Sequence, residues 1–122
     1  METMDCPFCN LNPQQILLAN AHFVAIRDRH PISEGHCLVV SRRHLKDFFE
    51  LSAAEASALT DLSRELRLLL DSEHHPDGYK LLMNCGAAAG QSVFHFHLHL
   101  IPRYIGDRTN FRRITASLRE VL

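Results

Sequence analysis

Residues 91–102 read QSVFHFHLHLIP, and no other stretch of the chain constrains the fold as strongly. Three histidines recur at every second position, each followed by an apolar residue. Side chains alternate between the two faces of a strand, so His95, His97 and His99 would share one face and the intervening aromatic and leucine residues the other. Neighbouring histidines would lie about 6.6 Å apart, so an adjacent pair could hold one metal ion but all three could not. The stretch therefore predicts a strand with one face on a core and a histidine face lining a site.

One long amphipathic helix is predicted to begin after Ser52. Ser52 and Glu55 form an S-x-x-E capping box, which favours a helix start at this point. Apolar residues then recur at three- and four-residue spacing as far as about Asp71. They are Ala56, Leu59, Leu62, Leu66, Leu69 and Leu70. This apolar stripe requires a second layer to cover it.

Five short apolar runs supply that layer as predicted strands. They lie at 15–19, 22–28, 36–41, 79–84 and 93–101. Short connections favour antiparallel pairing, because parallel neighbours need a crossover of about a dozen residues or more. We therefore expect a single α+β domain over 1–122, with a five-stranded antiparallel sheet packed against one long helix. The apolar spacing in 108–122 predicts a short second helix.

Composition excludes several functional classes. The 122 residues carry a formal net charge of −1, so bulk electrostatics give no reason to bind nucleic acid. No apolar run is long enough to cross a membrane, and the first ten residues, METMDCPFCN, lack the features of a secretory signal. Four cysteines are too few for a disulfide scaffold. We expect a cytoplasmic protein that binds neither membranes nor nucleic acid.

The loop before the histidines indicates an anion site. The segment NCGAAAGQSVFH offers two glycines, small residues, an amide and a hydroxyl, whose N–H and O–H groups could meet phosphate oxygens. One interpretation is nucleophilic catalysis by a neutral imidazole in phosphoryl or nucleotidyl transfer. The other is a metal enzyme that uses a His-x-His pair, although the only acids after the strand are Asp107 and Glu120.

The N-terminal CPFC, residues 6–9, has two interpretations of its own. A Cys-Pro-aromatic-Cys motif can be a redox dithiol, but that use needs a strand before it and a helix after it. Only five residues precede Cys6, and Pro13 interrupts any helix that follows. The motif can instead be half of a zinc site if two histidines arrive from elsewhere.

The motifs together resemble the histidine triad family of nucleotide hydrolases and transferases. The segment 84–102 is similar to the family signature His-φ-His-φ-His-φ-φ, where φ is apolar, preceded by Gly-Gln-Ser. Upstream, AIRDRHPISEGHCLVVSRRH at 25–44 resembles the family's Asp-containing strand end, its Gly-His strand and its basic-x-His ending. The resemblance spans most of 5–104. It implies the same five-stranded fold, and a homodimer.

The resemblance also assigns roles to residues. His97 matches the nucleophile that attacks the α-phosphorus and forms a nucleotidyl-histidine intermediate, which water then hydrolyses. His99 and Ser92 match contacts to the phosphate and leaving group, and Asp28 matches the carboxylate that holds the ribose hydroxyls. The remaining nucleotide-site positions are His36, Asn84 and Gln91. Arg29 stands where the family usually has an apolar residue in the base pocket, which leaves the base preference open.

Many bacterial members of the resembled family carry zinc. By that resemblance the ligands would be Cys6, Cys9, His44 and His95, with His36 as the competitor of His44. A closed Cys2His2 set leaves no open coordination position, so this zinc would be structural.

The expected function is hydrolysis of a small-molecule nucleotide at its α-phosphorus. The substrate would be a nucleoside phosphoramidate or a dinucleoside polyphosphate. Two alternatives stay open: a nucleotide-binding interaction module with weak or vestigial catalysis, and a metal-dependent enzyme that uses His97 and His99.

Overall fold

A five-stranded antiparallel sheet forms the centre of the protein. The structure is a computed structural model and describes residues 6–107. The strands are β1 (Ile16–Ala19), β2 (Phe23–Arg27), β3 (Cys37–Ser41), β4 (Gly78–Leu82) and β5 (His97–Arg103). They lie in the order β1-β2-β3-β5-β4, and every neighbouring pair is antiparallel. This sheet and its single long helix confirm the predicted fold class. The helix predicted at 108–122 lies outside the described residues.

The long helix, α1, spans Ala53–His74. The Ser52 side chain accepts the Glu55 N–H and the Glu55 carboxylate accepts the Ser52 N–H, so the predicted capping box is present. The helix ends at His74, beyond the predicted end near Asp71. The prediction stopped early because the last turn consists of polar residues, which show no apolar periodicity. At the end of the helix, His75 takes a left-handed conformation with φ of 51°. No helix within residues 6–107 has the length and apolarity needed to cross a bilayer.

The main core lies between α1 and one face of the sheet. Leucines at helical spacing on α1 pack against alternate residues of β2, β3 and β5. The buried members from α1 and the strands are Phe23, Ala25, Cys37, Val39, Leu59, Leu62, Leu66, Leu70, Leu98 and Leu100. Each fully buried leucine contributes about 1.5–3 kcal/mol through loss of water contact. The prediction that the apolar face of the histidine strand packs on the core is confirmed at Phe96, Leu98 and Leu100. It is wrong at Phe94, which is exposed.

The opposite face of the sheet carries the histidines. In the register of β3 and β5, Leu38 lies opposite His99 and Val40 opposite His97, so these four residues share a face. Leu38 and Val40 form a second apolar cluster with residues of β2. Phe8 and other residues of the N-terminal segment pack against that cluster. The N-terminal segment thus covers part of the histidine face.

The histidine strand begins later than predicted. The sequence predicts a strand over 93–101, but β5 starts at His97, so His95 precedes it. The Phe96 N–H donates to Leu45 O at 2.8 Å, and the Phe96 carbonyl accepts from Ser41 N–H at 3.3 Å. The regular β3–β5 ladder ends at the Val40–His97 pair, and Phe96 bonds instead to Leu45 in the segment after β3. His95 therefore does not continue the row formed by His97 and His99.

Candidate active site and metal centre

Cys6, Cys9, His44 and His95 form one compact cluster. The Cys9 Sγ lies 3.0 Å from His44 Nδ1 and 3.4 Å from His95 Nδ1. The Cys6 Sγ lies 3.3 Å from His95 Nδ1, and the two Nδ1 atoms are 3.1 Å apart. One ligand atom from each residue lies within 4.8 Å of the others. The structure thus brings the four predicted ligands together and leaves His36 elsewhere.

The hydrogen bonding of His95 suits a metal ligand. Its Nε2–H donates to the Ser41 carbonyl at 2.7 Å, so Nδ1 carries the lone pair that faces the cysteines. Ligating histidines usually donate their other N–H in this way, which fixes the tautomer and the ring orientation. His95 is fully buried, and burial lowers the pKa of its imidazole. Two sulfurs and two imidazole nitrogens are the donor set of a closed tetrahedral zinc site, so the residues fit that ion.

The two cysteines lie on a tight turn. The Cys9 N–H donates to Cys6 O at 3.2 Å, and the Asn10 side chain donates to the same carbonyl at 3.0 Å. Burial and the neighbouring Cys6 raise the pKa of the Cys9 thiol to about 11. A redox dithiol of this kind lies at the start of an α-helix, whereas a short 3₁₀ turn at Pro13–Gln15 and then β1 follow these cysteines, so the geometry disfavours the redox interpretation of CPFC.

In His97 the unprotonated ring nitrogen is Nε2, whereas in His95 it is Nδ1. The His97 Nδ1 lies 2.9 Å from the His95 carbonyl and donates to it, so Nε2 carries the lone pair. Burial is the main cause of the lowered pKa of His97, which keeps the imidazole neutral. The Phe8 ring packs on the His97 ring with centroids 5.0 Å apart. A neutral imidazole with an oriented lone pair is a competent nucleophile.

His99 takes its tautomer from His36. The Ile32 N–H donates to His36 Nδ1 at 3.1 Å, so His36 carries its proton on Nε2. That N–H lies 3.0 Å from His99 Nδ1 and 3.2 Å from Asp28 Oδ2. His99 Nδ1 therefore accepts, and the His99 proton is on Nε2, where it can be donated to a ligand. The site thus holds one imidazole lone pair, on His97, and one imidazole donor, on His99.

Asp28, His36 and His99 lie close enough together to surround a metal ion. Their hydrogen bonding argues against that use. A ligating histidine donates its second N–H outward, as His95 does, whereas the second nitrogen of His36 accepts from Ile32. His36 Nε2 then bears a proton and has no lone pair for a metal. The three groups form a hydrogen-bond network.

Burial keeps the two imidazoles of this network neutral. Burial and the neighbouring His97 and His36 lower the pKa of His99 to about 4, against a smaller opposite effect of Asp28. Burial also lowers the pKa of His36, although the Asp28 carboxylate favours its charged form. At neutral pH the two imidazoles can therefore act through oriented N–H groups and lone pairs without carrying charge.

The loop between β4 and β5 carries the other predicted nucleotide contacts. Asn84 is half-buried where the loop begins, and Ser92 is exposed where it ends. Gly86 has φ of +98°, a conformation that a side chain rarely adopts, and a short 3₁₀ turn at Ala87–Ala89 follows it. Gln91 is buried, and its carboxamide binds main-chain groups of this loop and of the segment after His44. The structure does not bring a free amide of Gln91 to the surface.

A cavity of about 440 Å³ opens beside the histidine face. Ligand pockets start at roughly 300 Å³, so its size suits a small ligand. Its apolar lining comes from Phe8, Leu11, Ile26, Leu38 and Val93. Asp28 lines it together with Arg29 and His30, the polar residues at the position where the resembled family is usually apolar.

Phe8 lies beside the candidate site and was not predicted from the sequence. It lines the cavity and also packs on His97. Its only signal in the sequence is an aromatic residue between two cysteines, and its partner lies 89 positions further along the chain. No local pattern predicts a contact over that distance.

A family comparison adds to this geometry. A model of the HIT domain, the domain of the histidine triad family, matches residues 10–106. The chain belongs to the HIT family. An uncharacterised HIT-like protein of Mycoplasma genitalium is 37% identical to it over 84% of this chain and 75% of that protein.

Solved HIT structures share the fold. A HIT family protein from Bacillus anthracis superposes with a TM-score of 0.75 at 31% identity, covering 97% of each chain. A zinc-bound histidine triad family protein from Mycobacterium smegmatis gives a TM-score of 0.78 at 27% identity, covering 97% of this chain and 96% of that one. The cysteine and histidine cluster could bind a metal in the present HIT protein.

Membership of the HIT family supports a nucleotide-binding or hydrolase-type function. The family includes an adenylylsulfatase, HINT3 of Arabidopsis thaliana, which is 32% identical over 81% of this chain and 52% of that protein.

Proposed function

We propose that this HIT protein is a nucleotide hydrolase that acts at an α-phosphorus through a covalent nucleotidyl-His97 intermediate. Its substrate would be a nucleoside phosphoramidate or a dinucleoside polyphosphate. The observation that carries the proposal is the hydrogen bond from His97 Nδ1 to the His95 carbonyl at 2.9 Å. With that nitrogen engaged, Nε2 is left as an oriented, neutral nucleophile.

In the first step His97 Nε2 attacks the α-phosphorus. A P–N bond forms, and the bond to the leaving group breaks with its electron pair going to the leaving atom, which takes a proton from solvent where it is the nitrogen of a phosphoramidate. The His99 Nε2–H and the Ser92 hydroxyl donate hydrogen bonds to the oxygens on which charge develops, and His36 holds His99 in the donating tautomer. The phosphorylated imidazole is cationic and retains its bond to the His95 carbonyl.

In the second step water attacks the same phosphorus. The P–N bond breaks and its electron pair returns to His97 Nε2, so the imidazole ends neutral as it began. The water oxygen remains on the nucleoside monophosphate, and its proton passes to solvent. Asp28 is acceptor-only when ionised, and it would bind the ribose hydroxyls while the base occupies the cavity lined by Phe8 and Leu38.

We also propose zinc on Cys6, Cys9, His44 and His95. Zinc would give this segment a fixed fold and take no part in the reaction, because the four protein ligands fill a tetrahedral shell. The chain's own residues at this centre hold the turn that places Phe8 on His97. The protein would work in the cytoplasm.

Covalent trapping tests the mechanism. The protein is mixed with adenosine phosphoramidate or with diadenosine polyphosphates, quenched with base and measured by intact-mass spectrometry. We expect an adenylyl adduct that maps to His97. His97→Asn should lower kcat by at least about 10⁴-fold, as loss of a nucleophile does, while AMP still binds. The faster substrate identifies the leaving group.

Other outcomes assign other functions. AMP binding without an adduct on any substrate would contradict the hydrolase and favour the interaction module. Full activity in His97→Asn would rule out the nucleophile. Loss of turnover on chelation with the fold intact would point to a metal reaction at His97 and His99.

The sheet edge supports a proposed homodimer. Within residues 6–107, β4 is an edge strand of the sheet, and strand edges favour pairing with another chain. Leu81 on β4 and Met83 just after it are exposed and line a largely apolar cavity of about 580 Å³ with residues of α1. Leu81→Lys should give a monomer by light scattering. Phe49→Lys, at an exposed aromatic outside that cavity, is the matched control.

A further inference from the structure

The buried carboxamide of Gln91 uses its hydrogen bonds within the protein. Its Oε1 accepts from the Gly86 N–H at 2.8 Å. Its Nε2 donates to Lys46 O at 2.6 Å and to Val93 O at 3.2 Å. The residue is only 5% exposed. A side-chain amide has two N–H donors, so both are already engaged by main-chain carbonyls.

These bonds join two segments, the β4–β5 loop and the segment after His44. Gly86 lies in the loop that would contact phosphate, and the Gln91 N–H also donates to Gly86 O at 3.0 Å. The side chain and main chain of Gln91 thus close this loop with a reciprocal pair of bonds. Lys46 follows the candidate metal ligand His44 by two residues, and Val93 precedes His95 by the same interval.

We propose that Gln91 is a positioning residue, which holds the 86–91 loop in its phosphate-binding shape and fastens it to the segment that carries His44. This inference rests on the proposed function, because it assigns the loop to the phosphate. It differs from a direct contact between the Gln91 amide and the phosphate. Gln91 acts on the phosphate through the loop, and its bonds exist without a ligand.

The test compares Gln91→Met, which keeps the length of the side chain and removes all three bonds, with Gln14→Met at an exposed glutamine. Amide exchange of Gly86 is measured by NMR in the full, metal-loaded chain without nucleotide. We expect exchange to accelerate about 10-fold or more in Gln91→Met, as one lost hydrogen bond implies, and to stay unchanged in Gln14→Met. Unchanged Gly86 exchange in Gln91→Met would overturn the proposal.

Ligand binding supplies the second measurement. AMP and adenosine are titrated against both variants by calorimetry. We expect Gln91→Met to weaken AMP about 10-fold and to leave adenosine unchanged, because only the phosphate meets the loop. Equal weakening of both ligands would indicate general loss of structure and overturn the positioning role. If the wild-type protein bound neither ligand, the proposed function would fail while the exchange measurement still tested the link between segments.

A second variant separates the two connections. Gln91→Glu keeps an oxygen for the Gly86 N–H but replaces the donor to Lys46 O. We expect Gly86 to remain protected and the Phe96 N–H, which bonds to Leu45 O, to exchange faster. Loss of protection at Gly86 alone would contradict the assigned link to the Lys46 segment.

Discussion

His95 and His97 lie two residues apart, but each leaves a different ring nitrogen unprotonated. His95 donates from Nε2 to the Ser41 carbonyl and leaves Nδ1 for the cysteine cluster. His97 donates from Nδ1 to the His95 carbonyl and leaves Nε2 as the lone pair. In the proposed function the same side chain would bind a metal in one case and attack phosphorus in the other. The difference comes from which ring nitrogen a main-chain carbonyl engages.

His99 adds a third arrangement. Its tautomer is set by a side chain, His36, whose own tautomer is set by the Ile32 N–H. This makes His99 Nε2 a donor where His97 Nε2 is a lone pair. In the proposed function His95 belongs to a metal centre held by cysteines, whereas His97 and His99 belong to a catalytic site held by hydrogen bonds, so the two sites should respond differently to substitution.

Cys9→Ser should have the largest effect on stability, because it removes one of the four candidate zinc ligands. A hydroxyl is a poor zinc ligand, and metal binding contributes directly to folding free energy in such sites. We expect zinc content to fall from one per chain to near zero and the free energy of unfolding to fall by about 4 kcal/mol. Plasma emission spectroscopy and urea unfolding measure both.

Cys85→Ser is the control for that prediction. Cys85 is a half-buried thiol in the β4–β5 loop, outside the cluster. The Cys85→Ser protein should keep its zinc, and its free energy of unfolding should lie within about 1 kcal/mol of the wild-type value. A Cys9→Ser protein that retained stoichiometric zinc would show that the cluster is not the metal site.

Acid should lower the free energy of unfolding through His99. The pKa of His99 is about 4 in the folded protein, below its ordinary value of 6.5, so the unfolded state binds the proton first as the pH falls. The free energy of unfolding should therefore be unaffected by His99 above about pH 6.5 and decrease between pH 6.5 and 4. The loss is on the order of 3 kcal/mol.

Comparing wild type with His99→Gln isolates this effect, since acid release of metal from the cluster affects both proteins. Urea unfolding at several pH values should give a shallower decrease for the variant. Parallel decreases in the two proteins would contradict the assigned burial of a neutral His99.

A pair of substitutions at His36 sharpens the contrast further. His36→Gln places an N–H near the position of Nε2 and keeps the donor to His99, whereas His36→Asn keeps only an acceptor for the Ile32 N–H. We expect His36→Asn to lower kcat about 10–100-fold and His36→Gln to lower it by less than about 5-fold. Steady-state kinetics on the faster substrate measure the difference. Equal losses would exclude His36 as the group that sets the His99 tautomer.

Much of this arrangement could be predicted from local patterns. The capping box and leucine spacing predict α1, and alternation places His97 and His99 on one face, because both are properties of neighbouring residues. The start of β5 could not be predicted, since His95 leaves the row through pairing of Phe96 with Leu45 in another segment. The grouping of His44 with the cysteines came from the family resemblance rather than from the residues.

The long-range contacts could not be predicted either, because they join segments that are distant in the sequence. Phe8 packs on His97 only because the N-terminal segment folds across the sheet. By resemblance Gln91 lies near the phosphate, and its buried bonds to Gly86 and Lys46 become visible only when the β4–β5 loop and the segment after His44 are placed together. The tautomers of His95 and His99 likewise depend on partners far away in the chain, Ser41 and His36.

The tautomers of the three histidines test the account most directly. Long-range ¹H–¹⁵N correlation spectra of the zinc-loaded protein at pH 7.5 distinguish protonated, unprotonated and metal-bound ring nitrogens. The account predicts a proton on His97 Nδ1 with a bare Nε2, a proton on His99 Nε2, and a proton on His95 Nε2 with Nδ1 bound to metal. A proton on His97 Nε2 would contradict it, because the proposed nucleophile would then have no lone pair to offer.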